Sequence, residues 1–88
     1  MAWTILVSKA ARKQLDALDP VARARIIAYF ETRVLTQPDP RMLATRLVGE
    51  GSLNWRYRVG DYRIVVRFED DRLVILVVRV AHRREVYR

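Results

Sequence analysis

Arginines recur at alternate positions of one predicted strand and return on the next strand, a pattern suited to binding phosphate. Over residues 55–59, aromatic and apolar residues alternate with Arg56 and Arg58, and a period of two indicates a strand with one buried face. If the glycine and aspartate at 60–61 form a two-residue turn, Arg58 lies directly opposite Arg63. Like charges in that position destabilise a sheet, whereas paired guanidiniums bind phosphate. For each arginine taken singly, a solvated outer-face position is the alternative.

A second cluster of basic residues lies in the last eight positions of the sequence. Residues 81–88 include His82, Arg83, Arg84 and Tyr87. At the end of a strand these side chains would supply hydrogen-bond donors beside the arginine pair, and a frayed polar terminus is the alternative. Tyrosine, with an ordinary pKa of about 10, is a poor base unless cations lower it, whereas histidine titrates near neutrality. Tyr87 and His82 are therefore both candidate proton carriers.

The charge balance indicates a polyanionic partner. The 88 residues carry 17 Lys and Arg against 10 Asp and Glu, a formal net charge of +7. Lys9 and Lys13 are the only lysines, so the excess is guanidinium. Such a surface favours nucleic acid as the partner, and an arginine-rich codon usage combined with solubility is the alternative.

Composition also excludes several chemistries. The absence of cysteine excludes disulfides, thiolate zinc sites and a cysteine nucleophile, and a single histidine argues against a metal cluster. We therefore expect no cofactor and no metal. The longest apolar runs fall far short of the roughly 18 residues of a spanning helix, and the N-terminus lacks a signal-peptide pattern. We expect a cytoplasmic protein.

The hydrophobic pattern predicts one α+β domain of order βααβββ over residues 1–88, with a helical hairpin packed on one face of a mainly antiparallel, twisted sheet. Ser8 is a favourable N-cap for the first helix, and Asp19 followed by Pro20 starts the second. The predicted elements are a strand at 3–7, helices at 8–18 and 20–36, a short helical turn at 40–45, and strands at 55–59, 62–69 and 72–80.

The last predicted strand does not fit a simple alternation of core-facing and outward-facing side chains. It follows a predicted turn at 70–71, and carrying the pleat through that turn places Ile75 and Val77 on the core face but Arg79 there as well. Either Arg79 leaves the sheet at its end or the register is off by one residue. The stretch 73–78 is apolar on both faces, so we expect a central strand whose second face is covered by the terminal segment.

Three stretches together carry a resemblance to a known family. Residues 54–66 contain a Tyr-Arg pair followed by hydrophobic residues, residues 77–87 end in His-Arg-Arg-Glu-Val-Tyr, and residues 46–49 contain a Leu-x-Gly loop. In combination they resemble the RelE family of bacterial toxins, within the wider RelE/ParE superfamily. The resemblance extends over essentially the whole chain, including its length and its βααβββ order.

The resemblance implies the toxin of a type II toxin–antitoxin system, a ribosome-dependent mRNA endoribonuclease that cleaves in the A site. In RelE-type toxins the 2′-hydroxyl attacks the adjacent phosphate and gives a 2′,3′-cyclic phosphate and a 5′-hydroxyl, without a metal. The implied partners are the 70S ribosome, mRNA and a RelB-like antitoxin, expected to be acidic, through which the complex would bind operator DNA. No membrane partner is implied.

The resemblance also assigns roles to residues. Arg63 matches the strand arginine that holds the scissile phosphate, Arg83 matches the arginine near the leaving 5′-oxygen, and Tyr87 matches a C-terminal tyrosine proposed as general base and stacking surface. Arg56 and Arg58 stand where RelE has two lysines. Because arginine stays protonated, these two would act by electrostatics alone.

Alternatives stay open for the remaining residues and for the function. His82 and Arg84 are expected to contact phosphate or RNA, and His82 is also an alternative acid or base. The helix arginines are expected to contact ribosomal RNA or antitoxin or to face water: Arg12, Arg23, Arg25 and Arg33. The alternative function is a ParE-like toxin that inhibits DNA gyrase without nuclease chemistry, although ParE-type sequences generally lack the Arg63, Arg83 and Tyr87 set. A binding-only homologue with decayed catalysis is a third hypothesis.

Overall fold

A computed structural model describes residues 2–49 and 53–86 of the chain. Its elements are β1 (Thr4–Val7), α1 (Lys9–Asp16), α2 (Pro20–Tyr29) with a π-helical turn (Phe30–Val34), a 3-10 turn (Pro40–Leu43), β2 (Thr45–Arg46), β3 (Trp55–Val59), β4 (Tyr62–Glu69), β5 (Val74–His82) and α3 (Arg83–Val86). The predicted α+β class is confirmed, and β2 and α3 are short additions that the sequence pattern did not predict. None of the described helices has the length and apolar character needed to cross a membrane.

Capping residues begin both helices of the hairpin, as predicted. The Ser8 hydroxyl accepts a hydrogen bond from the Ala11 N–H (3.1 Å), and the Asp19 carboxylate accepts one from the Ala22 N–H (2.9 Å). These bonds satisfy donors that the first helical turn leaves without partners. The π-helical turn extends α2 to Val34, close to the predicted end of the second helix. The buried side chains of the hairpin pack on the sheet: Ala11, Leu15, Ile26, Phe30 and Val34.

The sheet has the strand order β1-β5-β4-β3-β2. β1 pairs with β5 in parallel, and the other neighbouring strands are antiparallel. β5 is therefore an inner strand, as its two apolar faces predicted. One face of the sheet packs against the helical hairpin, and on this core face Tyr57, Ile64, Val66 and Ile75 are fully buried. We call the opposite face the outer face.

A β-bulge in β5 resolves the conflict over Arg79. Val65 pairs with Arg79, but the next residue, Val66, pairs with Val77, so Val78 is an extra residue in the ladder. The extra residue reverses the alternation of β5, and Val77 faces the core whereas Arg79 is exposed on the outer face. The placement of Arg79 on the core face is therefore wrong. The one-residue shift lies within the strand rather than at the turn before it.

The turn before β5 is longer than predicted. Residues 70–73 connect the two strands, and Glu69 pairs with Val74. Leu73 adopts a φ of 53°, in the left-handed region that tight turns use. The strand predicted at 72–80 therefore begins later, at Val74. The longer turn shifts the register of β5 against β4 by two residues. Because two is an even number, the same side chains still face the core.

Tyr57 fastens the 3-10 turn to the core. Its side chain is fully buried, and its hydroxyl donates a hydrogen bond to the Pro40 carbonyl oxygen. Burial raises the pKa of Tyr57 far above its ordinary value of 10.0, with smaller contributions from Tyr29 and Asp39. The hydroxyl therefore stays a hydrogen-bond donor across the physiological range.

We expect Tyr57→Phe to lower the free energy of unfolding by about 1–3 kcal/mol at neutral pH, because the buried Pro40 carbonyl loses its partner. Since folding raises the pKa of Tyr57, the tyrosine stabilises the fold below about pH 10, and this contribution is lost as the pH rises further. Urea unfolding across that range measures both effects. The variant should lose stability less steeply at alkaline pH, with a residual decline from Tyr29, whose pKa burial also raises. An equal decline in both proteins would contradict the assignment to Tyr57.

Candidate nucleic-acid interface

Arginines from three strands share the outer face of the sheet. Arg58 lies directly opposite Arg63, as the two-residue turn predicted. One row further from that turn, Arg56 and Arg79 lie on either side of Val65. No acidic side chain occupies these two rows of β3, β4 and β5. Clustered cations of this kind produce a positive potential that attracts phosphate.

Arg63 is the buried member of the arginine pair, at 3% exposure. Its Nη1 donates to the carbonyl oxygens of Gly60 (2.9 Å) and Tyr62 (3.0 Å). The two carbonyl dipoles orient the guanidinium and offset its repulsion from Arg58, whose side chain is exposed. The sequence predicted the pairing but not this burial. A phosphate can reach Arg63 only when neighbouring side chains move aside.

The turn between β3 and β4 also receives the start of α3. Gly60 adopts a φ of 59°, which glycine tolerates without strain. The Asp61 carbonyl oxygen accepts a hydrogen bond from the Arg83 N–H (2.8 Å), and the Arg83 Nε lies 4.0 Å from the Asp61 carboxylate. The main chain of Arg83 is therefore held at the same turn whose carbonyls bind Arg63.

α2 contributes an arginine that the sequence pattern did not place at this turn. The Arg25 guanidinium lies against Gly60, so that a Cβ added to Gly60 would be 3.2 Å from the Arg25 Nη2. Sequence reasoning treated Arg25 like the other helix arginines. No local signal distinguishes it, because the contact depends on how the hairpin lies on the sheet.

His82 is tied into the first turn of the terminal segment. Its N–H donates to the Glu85 Oε1 (3.1 Å), and its Nδ1 accepts from the Arg84 N–H (3.3 Å). Because Nδ1 accepts this bond, we assign the proton of the neutral ring to Nε2, which is the nitrogen left for a ligand. The ring also meets Tyr62 edge to face, with ring centroids 5.8 Å apart.

Four of the seven predicted site residues lie together, and two of the others lie apart from them. Around the β3–β4 turn and the adjoining end of β5 lie Arg58, Arg63, His82 and Arg83. Arg56 lies one row away, and Arg84 is exposed on α3. Tyr87 lies outside the described residues, so its position beside Arg83 stays a prediction. Arg79 is absent from the predicted site, because the bulge that brings it to the outer face has no recognised sequence signal.

The hydrogen-bond donors on the outer face favour the binding of anions. Guanidinium and imidazole N–H groups donate hydrogen bonds to phosphate oxygens, and arginine accepts none. Over residues 2–49 and 53–86, no three His, Asp or Glu side chains lie close enough together to hold a metal ion. The arginines of this face can therefore bind and stabilise negative charge.

Comparison with known proteins places the chain among the toxins of toxin–antitoxin systems. The family model described as the ParE toxin of type II toxin-antitoxin system, parDE, matches residues 5–87. The chain therefore belongs to this family, which is part of the RelE/ParE superfamily.

Individual relatives are toxins named RelG or RelE. Toxin RelG of Mycobacterium tuberculosis is 28% identical over 90 residues, covering 100% of this chain and 99% of that protein. A variant of E. coli toxin RelE in the free state has a TM-score of 0.77 at 25% identity, covering 99% of this chain and 92% of that one. The archaeal RelE-RelB complex from Pyrococcus horikoshii gives 0.72 at 27% identity, with coverages of 94% and 97%. The RelBE2 complex from Mycobacterium tuberculosis gives 0.82, with coverages of 93% and 92%, and at 23% identity it shows likeness of fold alone.

We expect Gly60→Ala to lower the free energy of unfolding by about 1–2 kcal/mol, because alanine is strained in the left-handed region. The added methyl also crowds Arg25. In an Arg25→Ala background the same substitution should therefore cost less, since only the backbone strain remains. Urea unfolding of the four proteins measures the difference. Equal costs in both backgrounds would show that Arg25 does not pack on the turn.

Proposed function

We propose that this toxin is a ribosome-dependent mRNA endoribonuclease that cleaves the message in the ribosomal A site. The observation that carries the proposal is the convergence of Arg58, Arg63 and Arg83 on the β3–β4 turn. Guanidiniums gathered at one site stabilise the dianionic phosphorane that forms when a 2′-hydroxyl attacks the adjacent phosphate. The likeness to toxins named RelG and RelE, at 25–28% identity, supports the same class of activity.

The proposed roles follow the contacts. Arg63, oriented by main-chain carbonyls, binds the scissile phosphate, and Arg83 stabilises the charge on the leaving 5′-oxygen. The bond from the 2′-oxygen to phosphorus forms as the bond to the 5′-oxygen breaks, which gives a 2′,3′-cyclic phosphate and a 5′-hydroxyl. Arg56 and Arg58 contribute positive potential only, because arginine does not release its proton.

Two proton transfers complete this reaction. The 2′-hydroxyl must lose a proton to a base, and the 5′-oxygen must gain one from an acid. Tyr87 is the proposed base. His82 is the alternative proton carrier, with its protonated Nε2 as the donor to the leaving 5′-oxygen.

The burial of Arg63 supports a dependence on the ribosome. At 3% exposure, its guanidinium has almost no surface to offer a phosphate in the free protein. We infer that the ribosome-held message displaces neighbouring side chains on entry. The ribosome would also hold the 2′-oxygen in line for attack, a contribution that positioning alone can make large.

The proposed partner is an acidic, RelB-like antitoxin. The net charge of +7 and the arginines of the outer face favour an acidic chain. On the helical side, an apolar cleft of about 270 Å³ between the hairpin and the sheet is lined by the exposed Ile27 and Leu35. Apolar side chains of the antitoxin would fill this cleft. Binding of operator DNA is proposed for the antitoxin of such a complex.

A ParE-like action on DNA gyrase is the second candidate function. The description of the matching family model, a ParE toxin, is the observation that favours it. The set of Arg63, Arg83 and Tyr87 favours the nuclease.

We expect the purified toxin to cut mRNA on programmed 70S ribosomes at codon-phased positions, mapped by primer extension. Arg83→Ala should slow cutting by about 100- to 1,000-fold, the usual cost of one lost donor to a developing negative charge. Arg72→Ala is the matched control and should cut at the parental rate, because Arg72 lies at the opposite end of the β4–β5 pair in an exposed ion pair with Glu69. A gyrase supercoiling assay run in parallel decides between the functions. Inhibited supercoiling without codon-phased cuts would overturn the nuclease.

We expect Tyr87→Phe to abolish growth arrest on expression, because the substitution removes only the proposed proton acceptor. His82→Gln is the comparison and should retain most of the arrest, since a phosphate contact can be replaced in part by an amide N–H. Circular dichroism of both variants checks that they fold. The reverse order of activity would show that His82, and not Tyr87, is the essential proton carrier.

A further inference from the structure

The bulge at Val78 brings Arg79 into contact with the described part of the terminal segment, residues 83–86, which form α3. The Arg79 Nη2 donates a hydrogen bond to the main-chain carbonyl oxygen of Glu85 (3.3 Å). This carbonyl belongs to α3, and the last carbonyls of a helix lack partners within the helix and attract cations. Without the bulge, Arg79 would point to the core face and could not make this contact.

Two further contacts hold the same segment. The Glu85 carboxylate accepts a hydrogen bond from the His82 N–H, and the Arg83 N–H donates to the Asp61 carbonyl oxygen. A helix of four residues is not stable by itself. The position of α3 therefore depends on contacts to the sheet, and Arg79 supplies one of them from the outer face.

We propose that Arg79 is a positioning residue, which holds the terminal segment so that Arg83 stays fixed at the β3–β4 turn. The proposal rests on the proposed nuclease function. Arg79 acts through α3 rather than on the phosphate. Its place in the ladder is beside Val65, one row away from the Arg58 and Arg63 pair.

The test compares Arg79→Met, which keeps an unbranched apolar stem and removes the donors, with Arg67→Met. Arg67 is exposed on the same face, but it bonds to Asn54 and makes no hydrogen bond to the described residues 83–85. The backbone ¹⁵N heteronuclear NOE of residues 83–85 in the free toxin reports the order of the segment. We expect it to fall in Arg79→Met and to stay at the parental value in Arg67→Met. Arg79→Lys, which keeps a donor, should restore part of it.

Cleavage on programmed ribosomes gives the second readout. Arg79→Met should lower kcat by about 10- to 100-fold through misplacement of Arg83, while KM for the ribosome rises no more than in Arg67→Met, which loses the same charge from the same face. Arg79→Lys should recover part of kcat. Thermal unfolding checks that the variants fold.

Two results would overturn the proposal. One is an unchanged NOE for residues 83–85 in Arg79→Met. The other is a raised KM with an unchanged kcat, which would make Arg79 a direct anchor for RNA. If the parental toxin does not cut at all, the nuclease function fails. The NOE comparison then still decides whether Arg79 holds the segment.

Discussion

The pairing of Arg58 with Arg63 across β3 and β4 is the constraint around which the outer face is arranged. Two guanidiniums in direct opposition repel each other, and a sheet normally avoids them. The structure accommodates the pair by turning Arg63 onto the carbonyl oxygens of Gly60 and Tyr62 and leaving Arg58 exposed. The left-handed conformation of Gly60 closes the turn that presents these carbonyls. The same turn then binds Arg83 through Asp61, so one local arrangement fixes both arginines.

The two faces of the sheet have different roles: the core face stabilises the fold, and the outer face carries the candidate site. The core face packs against the helical hairpin, and its buried side chains include Tyr57, Ile64 and Ile75. With both helices of the hairpin on that side, the outer face is free to carry arginines. β5 joins the two roles, because its apolar first half pairs with β1 and its second half leads through the bulge to Arg79 and α3. An irregularity in a buried strand thus brings Arg79 within hydrogen-bond distance of the Glu85 carbonyl oxygen on α3.

Much of the fold could be predicted from local signals. Ser8 and Asp19 are short polar residues placed directly before apolar-periodic stretches, and both cap helices. The Gly60-Asp61 turn fixed the register that puts Arg58 opposite Arg63. The family resemblance was confirmed as membership of the RelE/ParE superfamily.

What could not be predicted depends on contacts between distant parts of the chain. The two-residue strand β2 pairs with β3 but is too short to have a hydrophobic period of its own. The bulge at Val78 appeared in the sequence only as a conflict over Arg79, since a valine-rich run does not show where an extra residue falls. The packing of Arg25 on Gly60 and the burial of Arg63 arise when the hairpin and the strands are assembled. These interactions shape the site without leaving a local pattern.

The chemical form of the cut ends tests the central claim most directly. Message cleaved by the toxin on programmed ribosomes can be analysed by mass spectrometry of the fragments on both sides of the cut. Attack by the 2′-hydroxyl on a phosphate held by arginines predicts a 2′,3′-cyclic phosphate on the upstream fragment and a 5′-hydroxyl on the downstream one. A 3′-hydroxyl together with a 5′-phosphate would contradict the account, because those ends require an external water as the nucleophile.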